Sequence, residues 1–226
     1  MNYLLNIHTT TETAIVNLTN ENELLATLLN TDSKNHAAFL HSAIHHILQE
    51  NDIQPTELKA IGVTGGPGSY TGIRVGLATA KGLCFALKTP LIVVNTLEVM
   101  AFSAIEKIKD QNALYCAMID ARRAEVFTAT YDHTLHPVNP PSAMILTEET
   151  TQTFSSGHPI YFFGSGSEKF KKAATGFHDF HFENIEITAS ALGKFCWTQF
   201  LKNKFENLTN SHPIYLKDFY TNAKKA

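Results

Sequence analysis

Three short apolar-rich runs, separated by polar clusters, open the chain. Residues 3–7, 13–18 and 24–29 read as three strands joined by turns rich in Thr, Asn and Glu, the pattern of an antiparallel meander. Between 35 and 49 a helical period appears. Leu40, Ala43, Ile44, Ile47 and Leu48 fall on one stripe at helical spacing. A short apolar run at 60–63 then enters the stretch TGGPGSYTGIRVG, from Thr64 to Gly76. Beyond it the pattern predicts a helix over 72–87, a strand over 91–94 and a helix over 96–107.

The second half repeats this plan. Residues 114–119 and 125–131 form a predicted hairpin around DARRA, and IYFFGSGSEKF runs from a strand through a Gly-rich turn into a helix. The last long helix is expected at 188–204. Residues 137–141 carry three prolines and are expected to be a loop, because proline fixes φ and removes a donor. The doubled order predicts an α/β fold of two similar lobes, 1–100 and 101–206. Residues 207–212 read as a linker, and the tail at 207–226 is expected to return to the first lobe through Pro213, Tyr215 and Leu216.

Composition narrows the function classes. With 226 residues, 44% of them hydrophobic, the chain can bury a substantial core. The net charge is −3 and the basic residues are scattered, so binding nucleic acid alone is disfavoured. Cys84, Cys116 and Cys196 are few and far apart, which fits neither a disulfide framework nor a zinc site and suits a reducing cytoplasm. No apolar run approaches the roughly 20 residues of a membrane span, so a soluble, cytoplasmic protein with no membrane contact is expected.

The Gly-rich turn fails three enzymatic templates. A P-loop needs Lys and Ser/Thr after its last glycine, but Ile73 and Arg74 follow Gly72. Gly66, Gly68 and Gly72 miss the dinucleotide spacing by one, and the following strand ends in Asn95 rather than an acid. Ser69 lacks the flanking glycines of a nucleophile elbow. The helix after the turn says more. Gly72, Gly76 and Ala80 lie four apart and form a smooth face, which admits close approach by another element. That element is either another chain or the protein's own core, since a helix apolar on most sides is buried on most sides.

GGPGSYTGIRVGLATAKGLCFAL followed by PLIVVNTLEVMA resembles the TsaB (YeaZ) family, and MIDARRAEVF and PIYLKDF fit it as well. The resemblance implies two ribonuclease-H-like lobes of the actin-like and sugar-kinase-like ATPase superfamily. It also implies a role in making threonylcarbamoyladenosine at position 37 of tRNAs that read codons starting with A. In that family the chain is the non-catalytic partner of the transferase TsaD, a paralogue, alongside the small ATPase TsaE. ATP and metal are then expected on the partner subunits, with no cofactor here. Contact with tRNA is expected only through the complex, and a homodimer in isolation.

TsaD carries its metal ligands in an NHLEGH-like segment. In the corresponding Asn95-Thr96-Leu97-Glu98-Val99-Met100, Thr96 and Met100 stand where the histidines would be, and a hydroxyl and a thioether do not replace two imidazoles. The resemblance also places His8 where the family's first strand usually ends in a carboxylate. The implied partner interface is the pair of helices bearing Ala38, His41 and His45 on one and Gly72, Gly76 and Ala80 on the other. Thr9, Thr10, Asp120 and Arg122 are candidate vestigial nucleotide contacts, against the plainer reading that they satisfy tight turns. Gly164-Ser165-Gly166-Ser167 resembles an adenosine-contacting loop. His41 and His45 have the spacing of a helical metal pair, but Ser42 stands where a metalloprotease has its Glu. The alternative to a scaffolding subunit is a stand-alone metal- or ATP-dependent hydrolase, glycoprotease-like.

Overall fold

A computed structural model describes residues 2–21, 23–32, 35–147, 149–154, 157–174 and 179–217. The chain opens with β1 (Tyr3–His8), β2 (Ala14–Asn20) and β3 (Glu23–Asn30), the expected antiparallel meander. Then come α1 (His36–Glu50), β4 (Leu58–Gly66), α2 (Tyr70–Leu87), β5 (Leu91–Asn95) and α3 (Thr96–Ile108). The second half contains β6 (Leu114–Asp120), β7 (Glu125–Tyr131), β8 (Pro137–Ile145), β9 (Ile160–Phe163), α4 (Ser167–Ala173), β10 (Phe180–Glu183) and α5 (Ala189–Leu201).

Among the described residues these strands form two five-stranded sheets, ordered β3-β2-β1-β4-β5 and β8-β7-β6-β9-β10. The two orders are the same topology twice. In each sheet the first two pairings are antiparallel and the last two parallel. The parallel pairings require crossovers, and α2 supplies the one from β4 to β5 by packing back onto the sheet.

Side-chain alternation distributes the first sheet between two cores. Leu5, Ile7, Val16, Leu18, Ile61 and Val63 face α1 and α2, whereas Leu4, Ile15, Ala60, Ile92 and Val94 face inward to a core shared with α3, α5 and the second sheet. A third cluster built on Phe162 and Phe170 packs α4 on the outer side of the second sheet. The layers therefore run from α1 and α2 through the first sheet, then α3 and α5, then the second sheet, to α4. Ser69, Asn95 and Thr188 cap α2, α3 and α5, each accepting a backbone N–H bond from the first turn.

One expectation is corrected, and two features of the fold lie outside the sequence pattern. Residues 137–141 are strand, not loop. They open β8, which lies at the sheet edge, where a missing N–H is tolerated, and its register against β7 shifts twice to accommodate the prolines. A strand unforeseen in the sequence, β10, pairs in parallel with β9; its four residues are too short to show a period. In addition, α5 belongs by sequence to the second half, yet it packs on β1, β2, β3 and β5 of the first sheet and on α3. Leu192, Phe195, Cys196 and Trp197 of α5 are buried in the shared core, and a buried polar ladder fixes its N-terminal end. Asn6 Nδ2 donates to Asn17 Oδ1 at 2.8 Å, and Asn17 Nδ2 donates to Ala189 O at 2.7 Å.

After α5 the chain runs along β5, where Glu206 N donates to Leu91 O at 2.8 Å. It then turns at Asn207–Asn210 and reaches Gly65, whose carbonyl accepts from Ile214 N at 2.7 Å. Residues 218–226 of the expected tail lie outside the described residues.

Candidate functional site

In open α/β sheets, ligand sites gather where parallel strands end and their loops begin. Here the ends of β1 and β4 and the start of α2 face the β6–β7 turn and the 164–166 loop across a cleft of about 800 Å³. Thr10, Gly68, Tyr70, Asp120, Arg122 and Ser165 are among its walls.

The first-sheet side of this cleft is hydrogen-bonded within itself. His8 is 1% exposed, with Nδ1 3.0 Å from Thr64 Oγ1 and Nε2 2.7 Å from Thr11 Oγ1. Burial, and next the neighbouring His36, push its pKa down to about 3, so the ring is neutral. Thr9 Oγ1 donates to Gly72 O at 2.7 Å, and Thr10 Oγ1 lies 2.9 Å from Thr96 Oγ1. All three threonines are buried. Thr9 and Thr10, candidate nucleotide contacts by sequence, direct their hydroxyls into the fold and hold the β1–β2 turn against α2 and α3. Met100 is buried as well, near Gly164.

The second-sheet side is held by a turn. Asp120 Oδ1 accepts from Arg122 N at 2.6 Å and pairs with Lys169 Nζ at 2.5 Å, so its charge is already met. Arg122 and Arg123 both have left-handed φ, 69° and 53°, which closes the turn and leaves Arg122 in the cleft wall. Asp120 and Arg122 thus do reach the cleft, as does Ser165 of the Gly-Ser loop, whose Oγ accepts from Asp120 N at 3.1 Å. Among the described residues, no three His, Cys, Asp or Glu side chains come close enough to hold a metal ion.

The six expected interface residues are divided between two sides of the fold. Ala38, His41 and His45 are exposed on the outer side of α1. Gly72, Gly76 and Ala80 are buried, and the face they form is internal. A Cβ on Gly72 would overlap Thr9 O, and one on Gly76 would overlap Thr9 Oγ1 while touching Val63 and Ile7. The smooth face admits β1 and its turn, because a crossover helix must lie on its own sheet.

The side of α2 that remains outside carries Arg74, Ala78, Gly82 and Phe85, which the sequence reading passed over. A Cβ on Gly82 would meet nothing within 4 Å, and Phe85 is 80% exposed. The signal was present in the sequence: 78, 82 and 85 share a face, on the side of the helix opposite Gly76. Beside it stands α1, packed against α2. On these two helices Ala38, His41 and His45 of α1 and Ala78, Gly82 and Phe85 of α2 are exposed.

Comparison with known proteins supplies the context. The profile of the TsaD family, described as tRNA N6-adenosine threonylcarbamoyltransferase, matches residues 25–224. The tRNA threonylcarbamoyladenosine biosynthesis protein TsaB of Bacillus subtilis is 30% identical over 172 residues, 75% of this chain and 73% of that protein. The crystal structure of YeaZ from Pseudomonas aeruginosa superposes with a TM-score of 0.81 at 21% identity, covering 96% of this chain and 100% of that one. The activator of 2-hydroxyisocaproyl-CoA dehydratase from Clostridium difficile, solved with ADPNP, follows at a TM-score of 0.50 and 7% identity, over 90% and 96% of the two chains. The fold is the two-lobed one of the actin-like and sugar-kinase-like ATPases.

Proposed function

The chain belongs to the TsaB (YeaZ) family, and on that premise we propose that it is the non-catalytic partner subunit of a TsaD-type transferase. Its place in the biosynthesis of threonylcarbamoyladenosine in tRNA follows from the family. The finer reading is a scaffolding and activating role in modifying position 37 of tRNAs that read codons beginning with A. The observation that carries it is the internal use of the residues a catalytic cleft would need. His8, Thr10 and Thr96 bond to one another or to neighbouring threonines, and Asp120 is spent on Lys169 and a turn. A carboxylate free to organise Mg²⁺ and phosphate is lacking at position 8, where a neutral, buried imidazole stands instead. In this reading ATP and metal act on the partner subunits, TsaD-like and TsaE-like, and tRNA is met through the complex in the cytoplasm. No helix among the described residues is long and apolar enough to cross a membrane.

The partner seats on the outer surface of α1 and α2, around Ala38, His41, His45, Ala78, Gly82 and Phe85. Exposed small residues let a neighbouring helix approach closely, and a large exposed aromatic is the usual anchor of such a contact. The paralogue has the same helix pair by descent, so the surface also pairs with a second copy when the partner is absent. The test is Gly82→Arg, which adds a large charged side chain where the monomer has open space. The variant should melt no lower than the parent yet lose pairing with the TsaD-type protein and tRNA modification in a reconstituted reaction. Full modification by Gly82→Arg would refute the placement. Modification by the TsaD- and TsaE-type proteins alone would refute the subunit role.

A further inference from the structure

Residues 213–217 lie across the mouth of the cleft and touch both of its sides. On the first-sheet side Ile214 N donates to Gly65 O at 2.7 Å, and a Cβ on Gly66 would come within 2.5 Å of Ile214 O. The strand end and this segment are therefore in backbone contact. Tyr215 packs on Tyr70 with ring centroids 5.5 Å apart, and its hydroxyl accepts from Arg74 Nε at 2.9 Å. Arg74 in turn lies 3.7 Å over the Tyr70 ring. Leu216 packs against the core shared by both sheets. On the far side, Lys217 forms an ion pair with Glu125 at the start of β7. Upstream, Lys81 Nζ donates to Ser211 O at 3.0 Å and ties the approach to α2.

We propose that this segment is a latch that sets the relative orientation of the two sheets and keeps one side of the cleft closed. A segment serving only to cover the first sheet needs no ion pair to the second. This one places Lys217, three residues after Ile214, on that pair. Apart from Leu216, whose side chain rests on the edge of the shared core, the anchors are side-chain and backbone bonds at the rim, so the latch can be released without unfolding either sheet. The cleft's opening is then governed by the chain's own segment.

The test measures the distance between the two halves. Spin labels on Glu50→Cys, at the end of α1, and His133→Cys, in the β7–β8 turn, report it, since both positions are exposed and the three native cysteines are buried. The parent should give one narrow distance distribution. Tyr215→Ala with Lys217→Glu should broaden and shift it, with the circular dichroism spectrum unchanged. Exchanging the charges, Lys217→Glu with Glu125→Lys and Tyr215 kept, should return the parental distribution. The proposal fails if the released variant superimposes on the parent, even with a lowered melting temperature, because the segment would then only add stability. It fails equally if the charge exchange broadens the distribution as much as release does.

Discussion

Adding one methyl group to Gly76 tests the internal position of the small-residue face. In Gly76→Ala the new Cβ overlaps Thr9 Oγ1 and makes ordinary contact with Val63 Cγ2 at 3.6 Å and Ile7 Cγ2 at 3.7 Å. The two methyls need not move; the hydroxyl must. Thr9 Oγ1 then loses its 2.7 Å bond to Gly72 O, which costs about 1 kcal/mol, or up to about 3 where the buried carbonyl finds no substitute. Crowding adds about 1–3 kcal/mol where the turn cannot relax. Alanine's better helix propensity returns about 1 kcal/mol. The net expectation is a loss of about 1–5 kcal/mol, which lowers the melting temperature by roughly 2–4 °C per kcal/mol in a chain of this size. Gly82→Ala meets no atom and should instead gain up to about 1 kcal/mol from the same propensity. Urea unfolding of both variants, with Thr9→Ala added to Gly76→Ala, isolates the clash. The triple comparison should show Thr9→Ala costing less in the Gly76→Ala background than alone. Equal stability of Gly76→Ala and Gly82→Ala would refute the argument.

Acid should destabilise the fold through His8. Its folded pKa of about 3 lies below the ordinary 6.5, so the unfolded chain binds the proton first and stability falls as pH drops from 6.5 toward 3; by pH 5 the loss is about 2 kcal/mol. His8→Gln, which cannot charge, should lose about that much less between pH 7 and pH 5 in urea titrations, and parallel acid dependence in the two proteins would contradict the assignment. Burial raises the thiol pKa values of Cys84 and Cys116 to about 11 and of Cys196 to about 12. Native protein at pH 8 should therefore leave all three unreacted toward an aromatic disulfide reagent and release three equivalents only in denaturant.

Much of the fold was legible because its elements announce themselves locally. The meander and the doubled strand–turn–helix order follow from short apolar runs between turn residues, and the stripe on α1 from helical spacing. What was not legible depends on partners distant in sequence. That α5 covers the first sheet rests on its apolar face meeting Leu4, Ile15 and Ala60, and on Asn6 and Asn17 reaching the carbonyl of Ala189, residues more than 170 apart at the extremes. The edge position that lets Pro137, Pro140 and Pro141 sit in a strand is a property of the whole sheet. At the site, spacing identified Gly72, Gly76 and Ala80 as one face but not which way it looked; the sheet beneath α2 decides that. The same holds for Thr9 and Thr10, whose hydroxyls point to Gly72 and Thr96 only once α2 and α3 are in place.

The interleaving of the two halves has a consequence for how the chain is made. The first sheet is complete in sequence at Asn95, but the inner face it presents to α5 stays uncovered until Ala189–Leu201 has left the ribosome. At ordinary synthesis rates that interval is on the order of ten seconds. During it Leu4, Ile15 and Ala60, the apolar lining destined for that core, wait beside β3, an edge strand with exposed Leu24, Leu25 and Leu29. The core shared by the two halves is therefore closed only when the last helix arrives.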